Sequence, residues 1–123
     1  MASIIVAPEN KQAGYLPLGR RTSVIGRGEN ANLQVLDDRV SRRHLQIRFD
    51  EGSGNYLALD MKSSNGVYVN EQKIEGETVL NDGDKIRVGS TDLLFTLQDF
   101  PDRDSALAHF KKVGERRRST LMQ

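Results

Sequence analysis

Two segments carry most of the chemistry this sequence offers: Val40-Ser41-Arg42-Arg43-His44, and Ser63-Ser64-Asn65-Gly66 running into Val67-Tyr68-Val69-Asn70. Each sets small hydroxyls and a cation or an amide in a loop, immediately before a run that reads as a β-strand. Loops of that kind hold several hydrogen-bond donors close together, which suits a tetrahedral oxyanion better than a sugar, a metal ion or a flat base.

Two shorter groups belong with them. Ile25-Gly26-Arg27-Gly28 ends an apolar strand in glycine and arginine. Glycine lets the chain turn sharply, and a guanidinium there would project five donors in a fixed fork. Asn70 closes a strand after Val69 and reads as a turn former that fixes neighbouring loops. Taken singly, each group has a plainer reading. An arginine at a strand end is usually solvated, and Asn65-Gly66 is a common hairpin signal. His44 begins a strand, so a structural imidazole that donates to a loop carbonyl is favoured over a catalytic one.

The elements that must position these groups are short strands. Apolar runs punctuated by Gly, Asn, Asp and Pro about every ten residues indicate a sandwich or barrel. Strands are expected near 3–7, 15–18, 22–25, 33–35, 45–50, 56–60, 67–69, 72–74, 78–79, 84–88 and 91–97. Alternation is clearest in Leu45-Gln46-Ile47-Arg48-Phe49 and Lys85-Ile86-Arg87-Val88. After Phe100 the character changes. Pro101 to Ser105 reads as a helix start with an Asp or Ser cap. Ala106, Leu107, Phe110 and Val113 share one face, Gly114 reads as the stop, and a polar basic tail follows. The expected organisation is therefore an all-β sandwich of mainly antiparallel strands over 1–100, then a helix and flexible basic tail over 101–123.

Composition narrows the function. The net charge of +1 over 123 residues argues against a surface devoted to nucleic acid or membrane. Few aromatics are free for base stacking. With no cysteine there is neither a disulfide framework nor a thiolate metal site, and two distant histidines make zinc improbable. No signal peptide or bilayer-length run is visible, which leads to an expected cytoplasmic protein without cofactor or metal. A nucleophile–base pair and a GxxxxGK[ST] loop are both missing, so no enzyme is expected.

In this order on a β-rich chain, Gly26-Arg27, Ser41-Arg42-Arg43-His44, Ser64-Asn65-Gly66 and Asn70 closely resemble the forkhead-associated (FHA) family. The resemblance covers about residues 3 to 98. It implies a sandwich of about eleven strands whose end loops bind phosphothreonine peptides. Carried over, it implies that Arg27, Ser41, Arg42 and Ser64 contact the phosphate or the backbone beside it. Asn65 would hydrogen-bond the peptide main chain, while Gly26, His44 and Gly66 shape and brace the loops. Arg43 falls at the variable position between the motif's arginine and histidine.

The expected function is a phosphothreonine-reading signalling adaptor downstream of Ser/Thr kinases, its partner a phosphorylated protein such as a kinase or its substrate. It would be a monomer or weakly self-associating. The tail adds a regulatory expectation: Arg116-Arg117-Arg118 precede Ser119 and Thr120 as in a basophilic kinase substrate, and phosphorylated Thr120 would occupy the loop site. The alternative is a phosphate-independent structural or regulatory protein that binds an enzyme partner through its sandwich face or C-terminal helix.

Overall fold

The alternation in Leu45-Gln46-Ile47-Arg48 sends Leu45 and Ile47 into the interior and leaves Gln46 and Arg48 half-buried on the outer face. The same period of two, a property of the pleat, operates throughout. The computed structural model describes residues 2–6 and 14–121, those from 114 onward by backbone alone. Eleven strands are formed: β1 (Ser3–Val6), β2 (Tyr15–Pro17), β3 (Ser23–Gly26), β4 (Leu33–Gln34), β5 (Leu45–Asp50), β6 (Asn55–Asp60), β7 (Val67–Val69), β8 (Gln72–Lys73), β9 (Thr78–Leu80), β10 (Lys85–Val88) and β11 (Thr91–Thr96). Each corresponds to one expected from the sequence, with ends shifted by a residue or so.

They build two sheets, ordered β2-β1-β11-β10-β7-β8 and β4-β3-β5-β6-β9. Pairing is antiparallel except between β3 and β4, where Ile25 faces Leu33 in parallel register. Between the sheets, Ile4, Ile25, Leu45, Ile47, Ile86, Leu93 and Phe95 are fully buried. Each such side chain contributes about 1.5–3 kcal/mol through removal of apolar surface from water.

The strand β1 is an exception to alternation: all four of its residues are buried. Its outward-facing Ile5 pairs with Leu94 of β11, and both lie beneath the helix α1 (Arg103–Leu121). Ala106 is fully buried against them, with Tyr15, Phe100, Leu107, Phe110 and Val113 packed around. The apolar stripe of the helix is thus consumed by its own sandwich. Asp102 caps it, its Oδ1 accepting the Ser105 N–H at 2.8 Å.

One expectation fails here. Gly114 does not end the helix, which continues to Leu121. A mid-helix glycine costs only about 1 kcal/mol relative to alanine, and Lys111, Lys112, Glu115 and Arg116–Arg118 on either side are strong helix formers. No helix of the described residues is long and apolar enough to cross a membrane.

Candidate functional site

Where β3 ends, the chain runs so close to the segment before β5 that only glycine fits. A Cβ on Gly26 would stand 2.2 Å from the Arg42 carbonyl oxygen. That proximity lets three backbone bonds zip the segments together: Arg27 N–H to Ser41 O (2.9 Å), Gly28 N–H to Arg42 O (3.1 Å) and His44 N–H to Ile25 O (3.1 Å). The Arg27 Nε donates to the Val40 carbonyl at 3.0 Å. This fixes the root of an exposed guanidinium and leaves its terminal N–H groups facing outward for an external acceptor.

His44 joins this segment to the second loop. The Ser41 N–H donates to His44 Nδ1 at 3.0 Å, so the ring hydrogen resides on Nε2, which donates to the Gly66 carbonyl at 2.7 Å. The imidazole is wholly buried. Above it the Ser64 N–H donates to Ser41 Oγ at 3.1 Å, while Asn65 Nδ2 donates to the Arg39 carbonyl at 2.7 Å. Within the second loop Gly66 adopts φ +78°, and its N–H donates to Ser63 Oγ at 3.0 Å. Arg27, Ser41, Arg42, Ser64 and Asn65 therefore cluster at one end of the sandwich. The side chains of Arg42 and Ser64 are exposed and make no hydrogen bond to any described residue.

Asn70 lies elsewhere. At φ +51° it turns the chain between β7 and β8, donating from Nδ2 to Asp84 Oδ1 (2.8 Å) and accepting the Lys85 N–H (3.0 Å). It braces that turn against the start of β10 rather than the arginine-bearing loops. The backbone at Ser119 and Thr120 is helical, and their side chains lie outside the described ones.

Some supporting residues escaped the sequence reading. Asp37 holds the Arg39 N–H at 2.9 Å, and the Ser90 N–H and Thr91 hydroxyl each at 2.8 Å. It thereby anchors the segment below Val40 to the β10–β11 turn. Burial opposes ionisation of its carboxyl, but these donors and the nearby Arg39 charge outweigh it, so its pKa lies below the usual aspartate value. At that turn Gly89 has φ +58°, and a Cβ there would meet Val40 Cγ2 at 2.9 Å. The local signals were present: Asp37-Asp38-Arg39 is an Asx-turn sequence, and Gly89-Ser90 a tight turn. What they hold lies far away in sequence.

Two clefts open beside the cluster. One of about 820 Å³ includes Arg27, Arg42 and Arg43 in its walls. The other, of about 460 Å³, includes Arg39, Asn65 and Tyr68. Among the described residues, no group of three His, Asp or Glu side chains is placed to hold a metal ion.

A two-sheet sandwich of eleven short strands, with its polar side chains gathered on the loops at one end, is the architecture of a forkhead-associated domain. The FHA domain family model matches residues 23–89, more than half of the chain, and the protein belongs to that family. Over 73 residues it is 44% identical to the FHA domain-containing protein FhaA of Mycobacterium tuberculosis, covering 59% of this chain and 13% of that protein. It is 35% identical over 95 residues to the oxoglutarate dehydrogenase inhibitor of Corynebacterium diphtheriae, covering 76% of this chain and 64% of the inhibitor. The chain thus spans only a small part of FhaA and just under two thirds of the inhibitor. Among solved structures, an FHA domain studied for phosphothreonine-dependent interactions superimposes with a TM-score of 0.68. That match has 31% identity over 80% of this chain and 98% of the other.

Proposed function

We propose that this protein is a non-catalytic reader of phosphothreonine peptides that recruits a phosphorylated partner in Ser/Thr-kinase signalling in the cytoplasm. The observation that carries the reading is the joining of Ser41 and Ser64 through the bond at 3.1 Å, with Arg27 and Arg42 beside them. Phosphothreonine brings about −1.5 to −2 charges and three strong acceptor oxygens. The terminal N–H groups of Arg27 and Arg42 supply charge-assisted bonds, each about 1.5–3 kcal/mol. The Ser41 and Ser64 hydroxyls donate to the remaining oxygens, Ser41 keeping its lone-pair contact with the Ser64 N–H. Asn65 Oδ1 accepts a peptide N–H, and its Nδ2 exchanges the Arg39 carbonyl for a peptide carbonyl. Because a flexible peptide is ordered on binding, affinities of order micromolar are expected.

Support for a binding role comes also from the relatives: one is named for inhibiting oxoglutarate dehydrogenase. That name favours a second reading, in which an unphosphorylated enzyme is bound through a sandwich face. The helix is a poor candidate for that contact, since Ala106, Leu107 and Phe110 already pack on Ile5 and Leu94. Phosphorylation of Ser119 or Thr120 remains part of the regulatory reading through Arg116–Arg118, and a change in partner affinity after stoichiometric modification tests it. The central test is a partly randomised peptide library presented in phosphothreonine, phosphoserine and unmodified forms. Phosphothreonine-selective capture is expected, and equal capture of all three forms overturns the reading.

A further inference from the structure

The two clefts beside the loop cluster differ in how their cations are engaged. On the Asn65 side, the cations Lys85 and Arg87 both pair with Asp92, at 3.7 and 3.1 Å. One carboxylate thus serves two cations, and Arg39 and Glu71 also line that cleft. On the Arg27 side, Arg27, Arg42 and Arg43 line one concavity between the β3–β4 loop and the segment before β5. Glu29 and Asp38 also border it, yet neither forms an ion pair with the arginines. Arg42 and Arg43 are exposed, and neither side chain bonds to any described residue.

We propose that Arg43 binds a second anionic group of the peptide, a carboxylate or a second phosphate, on the flank that lies in this cleft; this deepens the phosphothreonine reading and rests on it. A peptide seated over Ser41 and Ser64 sends one flank toward Arg39 and Asn65 and the other past Arg27 into the arginine-lined cleft. The phosphothreonine takes the donors of Arg27 and Arg42. Arg43 follows directly in sequence, lines the same cleft and keeps five unshared donors. Extended peptide advances about 3.3 Å per residue, so a group within Arg43's reach lies about two to four residues from the phosphothreonine. A bidentate fork recognises carboxylate and phosphate alike, the phosphate more strongly because it carries more charge.

The test uses a neutral-flanked phosphothreonine peptide and versions carrying Glu or phosphoserine two to four residues before or after the phosphothreonine. Each is titrated into the wild type and into Arg43→Gln. On one side only, Glu should tighten binding about threefold and phosphoserine about tenfold in the wild type. Both gains should vanish in Arg43→Gln, with neutral-peptide affinity held within about twofold because no internal bond is lost. A gain from phosphoserine without one from Glu identifies the second anion as phosphate. No gain on either side, or a gain that survives Arg43→Gln, overturns the inference while neutral-peptide binding leaves the phosphothreonine reading standing. Failure of the neutral peptide itself to bind overturns both.

Discussion

His44 Nε2 donates to the carbonyl of Gly66 at 2.7 Å, tying together loops whose contacting residues are 22 positions apart. With the Ser41 N–H on its other nitrogen, one buried ring sets the spacing of the Ser41 and Ser64 hydroxyls. Replacing it with alanine opens a cavity and strands a buried carbonyl. His44→Ala is expected to lose about 2–3 kcal/mol of stability and to weaken phosphopeptide binding even where the domain stays folded. Urea denaturation followed by a titration well below the midpoint checks both; unchanged peptide affinity would remove the histidine from the site's construction.

Gly26→Ala forces apart the β3 end and the Arg42 carbonyl, which a Cβ would approach to 2.2 Å. Since the contacted atom is backbone, the loop must move and take the zipper bonds of Arg27 and Gly28 with it. A stability loss of about 2 kcal/mol or more is expected. Loss of peptide binding should accompany it, and amide exchange at Arg27 and Gly28 should rise. Native-like protection at both amides would contradict the geometry.

Much of this arrangement was legible in the sequence because it is local. The period of two in Lys85-Ile86-Arg87-Val88 and the glycine–arginine pair at 26–27 need no distant information. What was not legible is long-range. Asp37 bonds to Ser90 and Thr91 across more than fifty positions, and no local pattern encodes that pairing. Asn70 reads locally as the turn former it is, but its side-chain partner, Asp84, is fourteen positions away and no local pattern names it. Gly114 was misread for another reason: glycine is a strong stop only where the following residues do not favour helix, and here Glu115 to Arg118 do.

The depressed pKa of Asp37 has a consequence in acid. Despite opposing burial, its hydrogen bonds favour the ionised form in the folded state. Its contribution is therefore complete above the unfolded aspartate value of about 3.9 and is lost as pH falls through and below it. Denaturation midpoints of wild type and Asp37→Asn should differ at pH 7, and the gap should narrow as pH falls below about 4. The wild type should also lose Arg39-segment order first, since Asp37 holds the Arg39 N–H. A constant gap across that range would show that the charge is not what stabilises the turn.

Ala106 is fully buried between α1 and the outer face of β1 and β11. Ala106→Asp places a carboxylate against Ile5 and Leu94, at a cost of about 2 kcal/mol or more. The helix should detach and its amides exchange freely. Phosphopeptide affinity should persist, because among the described residues α1 packs on β1, β2 and β11 rather than on the loop cluster. Loss of affinity in a folded variant would instead bring the helix into phosphopeptide recognition.

In the proposed function, recognition is carried by phosphate and by the arginine anchored at the end of β3. Calorimetric titration of one library-selected phosphothreonine peptide, and of its unphosphorylated twin, into wild type and Arg27→Ala tests it most directly. Binding of order micromolar by the wild type to the phosphorylated peptide alone is expected, with at least about tenfold loss in Arg27→Ala. Equal affinity for both peptides, or an Arg27→Ala protein that binds as the wild type does, would contradict it.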